Sequence, residues 1–312
     1  MTINIPHYNA IDPTRTLTTR NKFVQAMKFR FAQLMVVINH AVIELDVLAL
    51  NKVKTITNAA VSSGLTSQQY EFMSSDQKIE AFVTWMNEQS KKYILSGGRV
   101  GIRSFGDLLP EATEARNSWI KTYIDSAYQT GIRRGRSELK KLGVEVDDGS
   151  YEGSSTDPIQ VAFNNPMNAD RVGMIYTRAY SSLKGITAEM DSVVSDVLAL
   201  GIADGRGPRE IARLLIKSIT GEGTGSDLSI IDSLGRKIPA QRRAEVLART
   251  EVIRAHHQAN IAEYRAAGVL GIKVQAEWLT AGDSRVCPQC SPMNGKKFTV
   301  DEAENIIPAH PQ

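Results

Sequence analysis

Two cysteines three residues apart, in Cys287-Pro-Gln-Cys290, are the side chains of this sequence best suited to chemistry. A tight turn can aim both sulfurs at one ion, and a tetrahedral zinc site then needs two further ligands. His310 is the candidate third. A water, His256, His257 or a cysteine beyond those present would supply the fourth. The other reading is a reduced turn packed beneath strands, with His310 hydrogen-bonded or exposed. A thioredoxin-like pair is disfavoured, because no alternation of strands and helices surrounds the two cysteines.

Enzymatic uses of such a site need more than the sequence holds. Zinc deaminases place a proton-moving Glu two residues after a His. The histidines are His7, His40, His256, His257 and His310, and none has Glu at that position. His-Glu-x-x-His and Gly-x-Ser-x-Gly are also missing, so zincin and nucleophile-elbow chemistry lose their signatures. The expectation is a protein without catalytic turnover; a zinc-dependent nucleic-acid-binding protein or hydrolase is the rival. The most basic run is Arg133, Arg134, Arg136, Lys140 and Lys141, opposed only by Glu138. On a helix, 133, 136 and 140 share a face, which suits a solvated or protein-contacting surface or a row of phosphates. No aromatic side chain interleaves with them, which argues against single-strand stacking.

Composition narrows the classes further. Hydrophobic residues are 42% and charged residues 23% of the chain, the balance of a soluble globular protein. A net charge of +3 over 312 residues does not mark a nucleic-acid binder. The segment from Met1 to His7 lacks the basic and apolar regions of a secretory signal. The most apolar stretch, Phe31–Leu50, contains Gln33, Asn39, His40, Glu44 and Asp46. Charges cost roughly 2.5–3.5 kcal/mol each at a bilayer centre, so no membrane span is expected. Two cysteines in one motif exclude a disulfide-built scaffold and point to a reducing cytoplasm.

The elements that must position these residues are mostly helices. Phe31, Leu34, Met35, Ile38, Val42, Leu45 and Leu48 keep a helical stripe, with Thr18 or Thr19 as its N-cap. Gln77–Ser90 reads as a helix with Ile79, Phe82, Val83 and Met86 on one side. Glu111–Leu142 is a third, in which Gly131 and Gly135 allow close packing or a bend. Asp147–Asp157 is a polar linker. Asn168–Gly201 carries Ile175, Ala179, Leu183, Ile186, Met190, Val193, Val197 and Leu200 at helical steps. Pro208 opens another helix with Ile211, Leu214 and Leu215 inward. Gly221–Gly225 is a flexible break rather than a phosphate loop, since it follows a helix and lacks Gly-Lys-Ser/Thr. Ala240–Gly268 is a long helix, with Gly268 in the left-handed closing position. Ile272–Leu279 alternates like a strand, and Lys297–Val300 is its short partner. The expected fold is mainly α: two helical blocks of long helices, 1–146 and 158–220, joined by a linker at 147–157. A break at 221–239 then leads into a small α+β module at 240–312.

The last module carries an ordered set of motifs. Leu247-Ala-Arg-Thr-Glu-Val252 is followed by Trp278-Leu-Thr-Ala-Gly-Asp-Ser-Arg-Val-Cys-Pro-Gln-Cys290, then Asn294-Gly-Lys-Lys-Phe298, then Pro308-Ala-His-Pro311. In that order the set resembles the Mu F-like head-morphogenesis family of tailed bacteriophages. The shared positions are Arg249, Thr250, Glu251, Trp278, Asp283, Arg285, Cys287, Cys290, Gly295 and His310. Weaker echoes are Asp12-Pro-Thr-Arg-Thr16, Ala127-Tyr-Gln-Thr-Gly131 and Gly207-Pro-Arg-Glu-Ile-Ala212. The resemblance implies a structural minor head protein, present in several copies in the virion head near the portal and assembled in the host cytoplasm. Its implied partners are the portal protein and major capsid or scaffold proteins, with sequence-independent contact to double-stranded DNA, and no membrane. The family pattern places a cysteine after His-Pro-x, whereas this sequence stops at His310-Pro311-Gln312, so the module is expected to be cut short there. Within it, Glu251 or Arg249 is expected to pair with the Asp283/Arg285 loop, or else to stay a solvated helix charge. The basic run at 133–141 becomes a candidate portal or DNA contact.

Overall fold

The computed structural model describes residues 12, 14–50, 75–96, 118–144, 157–221, 230–231, 237–269, 274–280, 282, 284 and 286–308. Helices dominate it, and a short two-stranded sheet forms near the C-terminus, so the fold is mainly α with a small α+β module. Helix α1 is Leu17–Asn39, continued by a π turn at His40–Glu44; α2 is Ser75–Ser90, continued by a π turn at Lys91–Leu95. Helices α3 (Lys121–Lys141), α4 (Pro158–Asn164), α5 (Pro166–Ala203), α6 (Pro208–Thr220) and α7 (Ala240–Val269) follow. Strands β1 (Ile230–Ile231) and β2 (Lys237–Ile238) pair before α7. Strands β3 (Gln275–Glu277) and β4 (Lys297–Thr299) and helix α8 (Val300–Ile306) complete the chain.

Local chemistry explains where the helices begin and end. Thr18 and Thr19 do not cap α1, because they lie inside it. Asp12 does that work: its Oδ2 accepts from the Leu17 amide at 2.6 Å, satisfying an amide that lacks a helical acceptor. Helices α4 and α5 both start at a proline after an Asx residue. Asp157 accepts from Ile159 at 2.9 Å, and Asn165 accepts from Met167 at 3.0 Å. Pro208 opens α6 as expected, and Gly221 closes it at φ +78°, a conformation that suits a residue without a Cβ. Gly268 is not a closing residue, since α7 runs through it to Val269.

The chain forms two compact units, each drawn from separate parts of the sequence. The first comprises Met1–Val24, Phe105–Tyr180 and Val246–Gln312. In it, Phe23 stacks on Tyr123 at 4.6 Å and meets Trp119 edge-on at 5.4 Å. Tyr128 is fully buried in α3 and donates its hydroxyl to Asn168 at 2.8 Å. Helix α3 lies against α7 through Gly131 and Gly135. A Cβ on Gly131 would stand 2.2 Å from the His256 carbonyl oxygen, and one on Gly135 would stand 2.7 Å from Asn260 Oδ1. The two glycines therefore serve close packing. A satellite cluster of Leu139, Val144 and Ala267, with Tyr264 and Val274 against it, covers the ends of these helices.

The second unit comprises Gln25–Ser104 and Ser181–Glu245. Its core includes Met27, Phe31, Leu34, Met35, Ile38 and Val42, each contributing about 1.5–3 kcal/mol if fully buried. Two positions of the expected stripes face outward instead: Leu45 is 50% and Leu200 59% exposed. In α5 the inward places next to Met190 and Val197 are taken by Val194 and Leu198, because a 3.6-residue repeat drifts across a long helix. Asn87 donates to Asp191 at 2.7 Å, and burial pushes the Asp191 carboxyl up to about 6 despite that bond and nearby Lys91. By length and composition Leu17–Glu44 could cross a membrane. Its inward stripe, from Phe23 to Val42, is instead buried among protein side chains.

Candidate functional site

The cysteine turn hangs from a short antiparallel ladder. Gln275 pairs with Thr299, Ala276 with Phe298 and Glu277 with Lys297. The ladder extends by Trp278 N–H donating to Lys296 O and Gly295 N–H donating to Trp278 O, both at 2.8 Å. Gly295 holds φ +77°, which lets the chain reverse without a Cβ clash. Asn294 Oδ1 then accepts from both the amide (2.9 Å) and the hydroxyl (3.1 Å) of Thr280, clamping the base of the loop.

Inside that loop, Cys290 and Ser291 donate their amides to Cys287 O at 3.1 and 3.0 Å. The Cys290 amide also points at Cys287 Sγ, 3.3 Å away. Both cysteines are half-buried and they are not joined in a disulfide. Burial first, and then the neighbouring Cys287 thiol, push the Cys290 thiol up to about 11. At neutral pH it is a protonated thiol and a weak nucleophile.

Helix α7 supports this module from behind. Thr299 and Glu302 form a reciprocal capping box that starts α8. Arg265 of α7 reaches Asp301 Oδ1 and Glu304 Oε2, each at 2.5 Å. Further up α7, the Arg-Thr-Glu segment does not contact the cysteine turn through its carboxylate. Glu251, 2% exposed, accepts from Arg178 of α5 at 2.8 Å and from Arg254 at 2.7 Å. Glu251 thus ties α7 to α5; the expected pairing of Glu251 or Arg249 with the Asp283/Arg285 loop falls on residues outside the described ones, as does His310. Thr250 is buried and donates its hydroxyl to Val246 O at 2.8 Å, and Arg249 is half-buried on the same helix. Among the described residues no His, Asp or Glu joins the two cysteines in a group able to hold a metal. His256 and His257 therefore do not supply the missing ligand there.

Residues 192–312 match the family model described as Phage Mu protein F like protein. The match takes in the end of α5, all of α6 and α7 and the hairpin module, including the Gly207–Ala212 segment. No curated protein and no solved structure matches the chain.

Outside the matched residues, the basic run of α3 is sorted by burial. Arg134 donates to Glu138 at 2.8 Å, and Arg136 donates to Glu263 of α7 at 3.0 Å. Arg133, Lys140 and Lys141 face solvent, with Arg133 3.9 Å from Asp157. The expected stripe is therefore divided: 133 and 140 look outward, and 136 turns into the helix pair.

One residue of the matched segment shows its character only in three dimensions. His256 is wholly buried, and neither ring nitrogen has a hydrogen-bond partner among the described residues. Its ring meets His257 edge-on at 5.3 Å. Burial first, then His257, Arg134 and Arg20, push its pKa down to about 2, and burial with Arg134 pushes His257 down to about 4. No spacing signal in the sequence separates this histidine from an exposed one.

Proposed function

We propose that this protein is a structural minor head protein of a tailed phage. It acts in head morphogenesis by binding the portal, the inner capsid or the scaffold, without turnover of a substrate. It enters the virion head near the portal from the host cytoplasm, in several copies. The observation that carries this reading is the similarity of residues 192–312 to the Mu F-like family. The architecture supports a building part rather than a catalyst. Its most buried polar groups in that region, Glu251 and His256, are enclosed in helix packing, and the Cys290 thiol is held protonated.

Contact with packaged DNA is secondary in this reading. With Arg134 and Arg136 engaged by carboxylates, the outward cations of the α3 run are Arg133, Lys140 and Lys141. Three cations displace about three counterions, so a DNA contact made by this run alone would fall with a log–log salt slope of about −3. Gel filtration of the full chain with its cognate portal tests the main proposal. Co-elution at a fixed ratio is expected, and persistent separate elution, together with absence from purified particles by quantitative mass spectrometry, would overturn it.

A further inference from the structure

We propose that the outward face of helix α1 pairs with the same face of a second copy of this chain, the two helices running antiparallel. The inward side of α1 is packed into protein, and its opposite side carries a second, narrower stripe. Lys22, Gln25, Phe29, Ala32, Val36 and His40 are all exposed and recur at steps of three and four residues. That recurrence is the spacing of a two-helix seam. Its centre is apolar: Phe29 is 62% and Val36 67% exposed, and Ala32 between them keeps the surface low enough for a neighbouring helix to approach. Single exposed apolar residues are ordinary, but two large ones seven residues apart on one helix face make a continuous strip. The π turn that continues α1 sustains the line, since Glu44 meets His40 Nδ1 at 2.7 Å and stays exposed.

The charges of the strip select a copy of itself as occupant. Lys22 stands exposed near one end and Glu44 near the other. A second copy laid parallel would set Lys22 on Lys22 and Glu44 on Glu44, whereas an antiparallel copy sets each on its opposite. A two-fold axis beside Ala32 and Gln33 brings Phe29 against Val36 of the other copy, once on each side of the axis. The small side chain of Ala32 then lies where the two helices come closest. A partner helix with one sign of charge along its length would match one end of the strip and repel the other. The pairing needs nothing from the head-protein reading, and its test can fail independently of the portal experiment.

Sedimentation velocity of the full chain over a range of concentrations reads the pairing directly. A reversible monomer–dimer equilibrium is expected. Phe29→Glu should leave a monomer at the same concentrations, with the thermal midpoint within a few degrees of the wild type, because the site is exposed. Lys22→Glu and Glu44→Lys should each weaken the dimer roughly threefold or more, and the double exchange should restore it. Direction is read by cysteine cross-linking against the wild-type chain, whose Cys287 and Cys290 set the background. Ala32→Cys should give a disulfide-linked dimer on mild oxidation. Gln25→Cys should not, since roughly fifteen residues of helix, about 22 Å, separate the two copies of that position. The proposal is overturned by a monomer at every concentration, by a dimer that survives Phe29→Glu, by a double exchange that restores nothing, or by cross-linking at 25 in place of 32. If the wild-type chain is monomeric and Phe29→Glu instead abolishes portal co-elution or binding to phosphatidylcholine vesicles, the strip belongs to that other occupant.

Discussion

A neutral imidazole has one donor and one acceptor nitrogen, and His256 buries both without a partner among the described residues. Each orphaned group costs about 1–3 kcal/mol, so an apolar side chain of similar size should be tolerated there. The same burial makes the residue acid-sensitive. Its folded pKa of about 2 lies far below the ordinary 6.5, so the unfolded chain takes up a proton first as pH falls. The stability is complete above the unfolded value and is lost progressively below it. His257, pushed down to about 4, acts with the same sign. His256→Leu should therefore flatten the loss of stability between about pH 7 and pH 5, read as urea midpoints at both. An acid slope equal to the wild type's would refute this. Asp191 acts with the opposite sign: raised to about 6, it favours the fold below that pH and not above it. Glu251 poses a different question of magnitude. Removing one partner of a fully buried pair costs about 3–5 kcal/mol. Here the partners Arg178 and Arg254 keep 40% and 25% of their side chains exposed and can turn to water. Glu251→Ala should accordingly cost about 1–3 kcal/mol, with Glu251→Gln costing less. Denaturant midpoints of the two variants check the order.

Among the elements, the contact between α3 and α7 shows how one residue type carries opposite signs. Alanine is favoured over glycine in an open helix by about 0.5–1 kcal/mol. Gly185, in α5, has nothing within 4 Å of its would-be Cβ, so Gly185→Ala should raise the urea midpoint by that amount. Gly131→Ala should lower stability by about 1–3 kcal/mol, because the new methyl meets a backbone carbonyl at 2.2 Å and Ala259 Cβ at 2.7 Å. Equal effects for the two substitutions would mean that α3 and α7 are not this close in solution. The helical stripes were legible in the sequence because burial repeats every three or four residues. Phe31, Leu34, Met35, Ile38 and Val42 all face inward. The errors fell at Leu45, Leu200, Thr18 and Thr19, all near helix ends or along a long helix, where phase drift and a cap from outside the helix decide.

For the whole molecule, discontinuous segments build each compact unit, whereas the sequence reads as successive blocks. The Mu F-like match likewise starts inside α5, well before the motifs that suggested it. The surface prediction belongs at this scale. If the outward cations of α3 contact the portal, then replacing Arg133, Lys140 and Lys141 together by alanine should weaken co-elution and leave the thermal midpoint within a few degrees. Unchanged co-elution would move the contact to another face. Loss of folding is not expected, since surface changes away from packed features stay within about 0.5 kcal/mol each.

What the sequence alone determined is what local spacing controls. The helical period predicts α1, α2, α5, α6 and α7, alternation predicts β3 and β4, and the order of motifs after residue 247 pointed to the Mu F-like family. Tertiary structure decided which polar residues meet. Glu251 answers Arg178 from a helix 73 residues away, Arg136 answers Glu263 across 127, and His256 is sealed beneath Gly131. Charge and hydrogen-bond complementarity act through space at a few ångströms, and no spacing along the chain records which distant side chain will arrive at that distance.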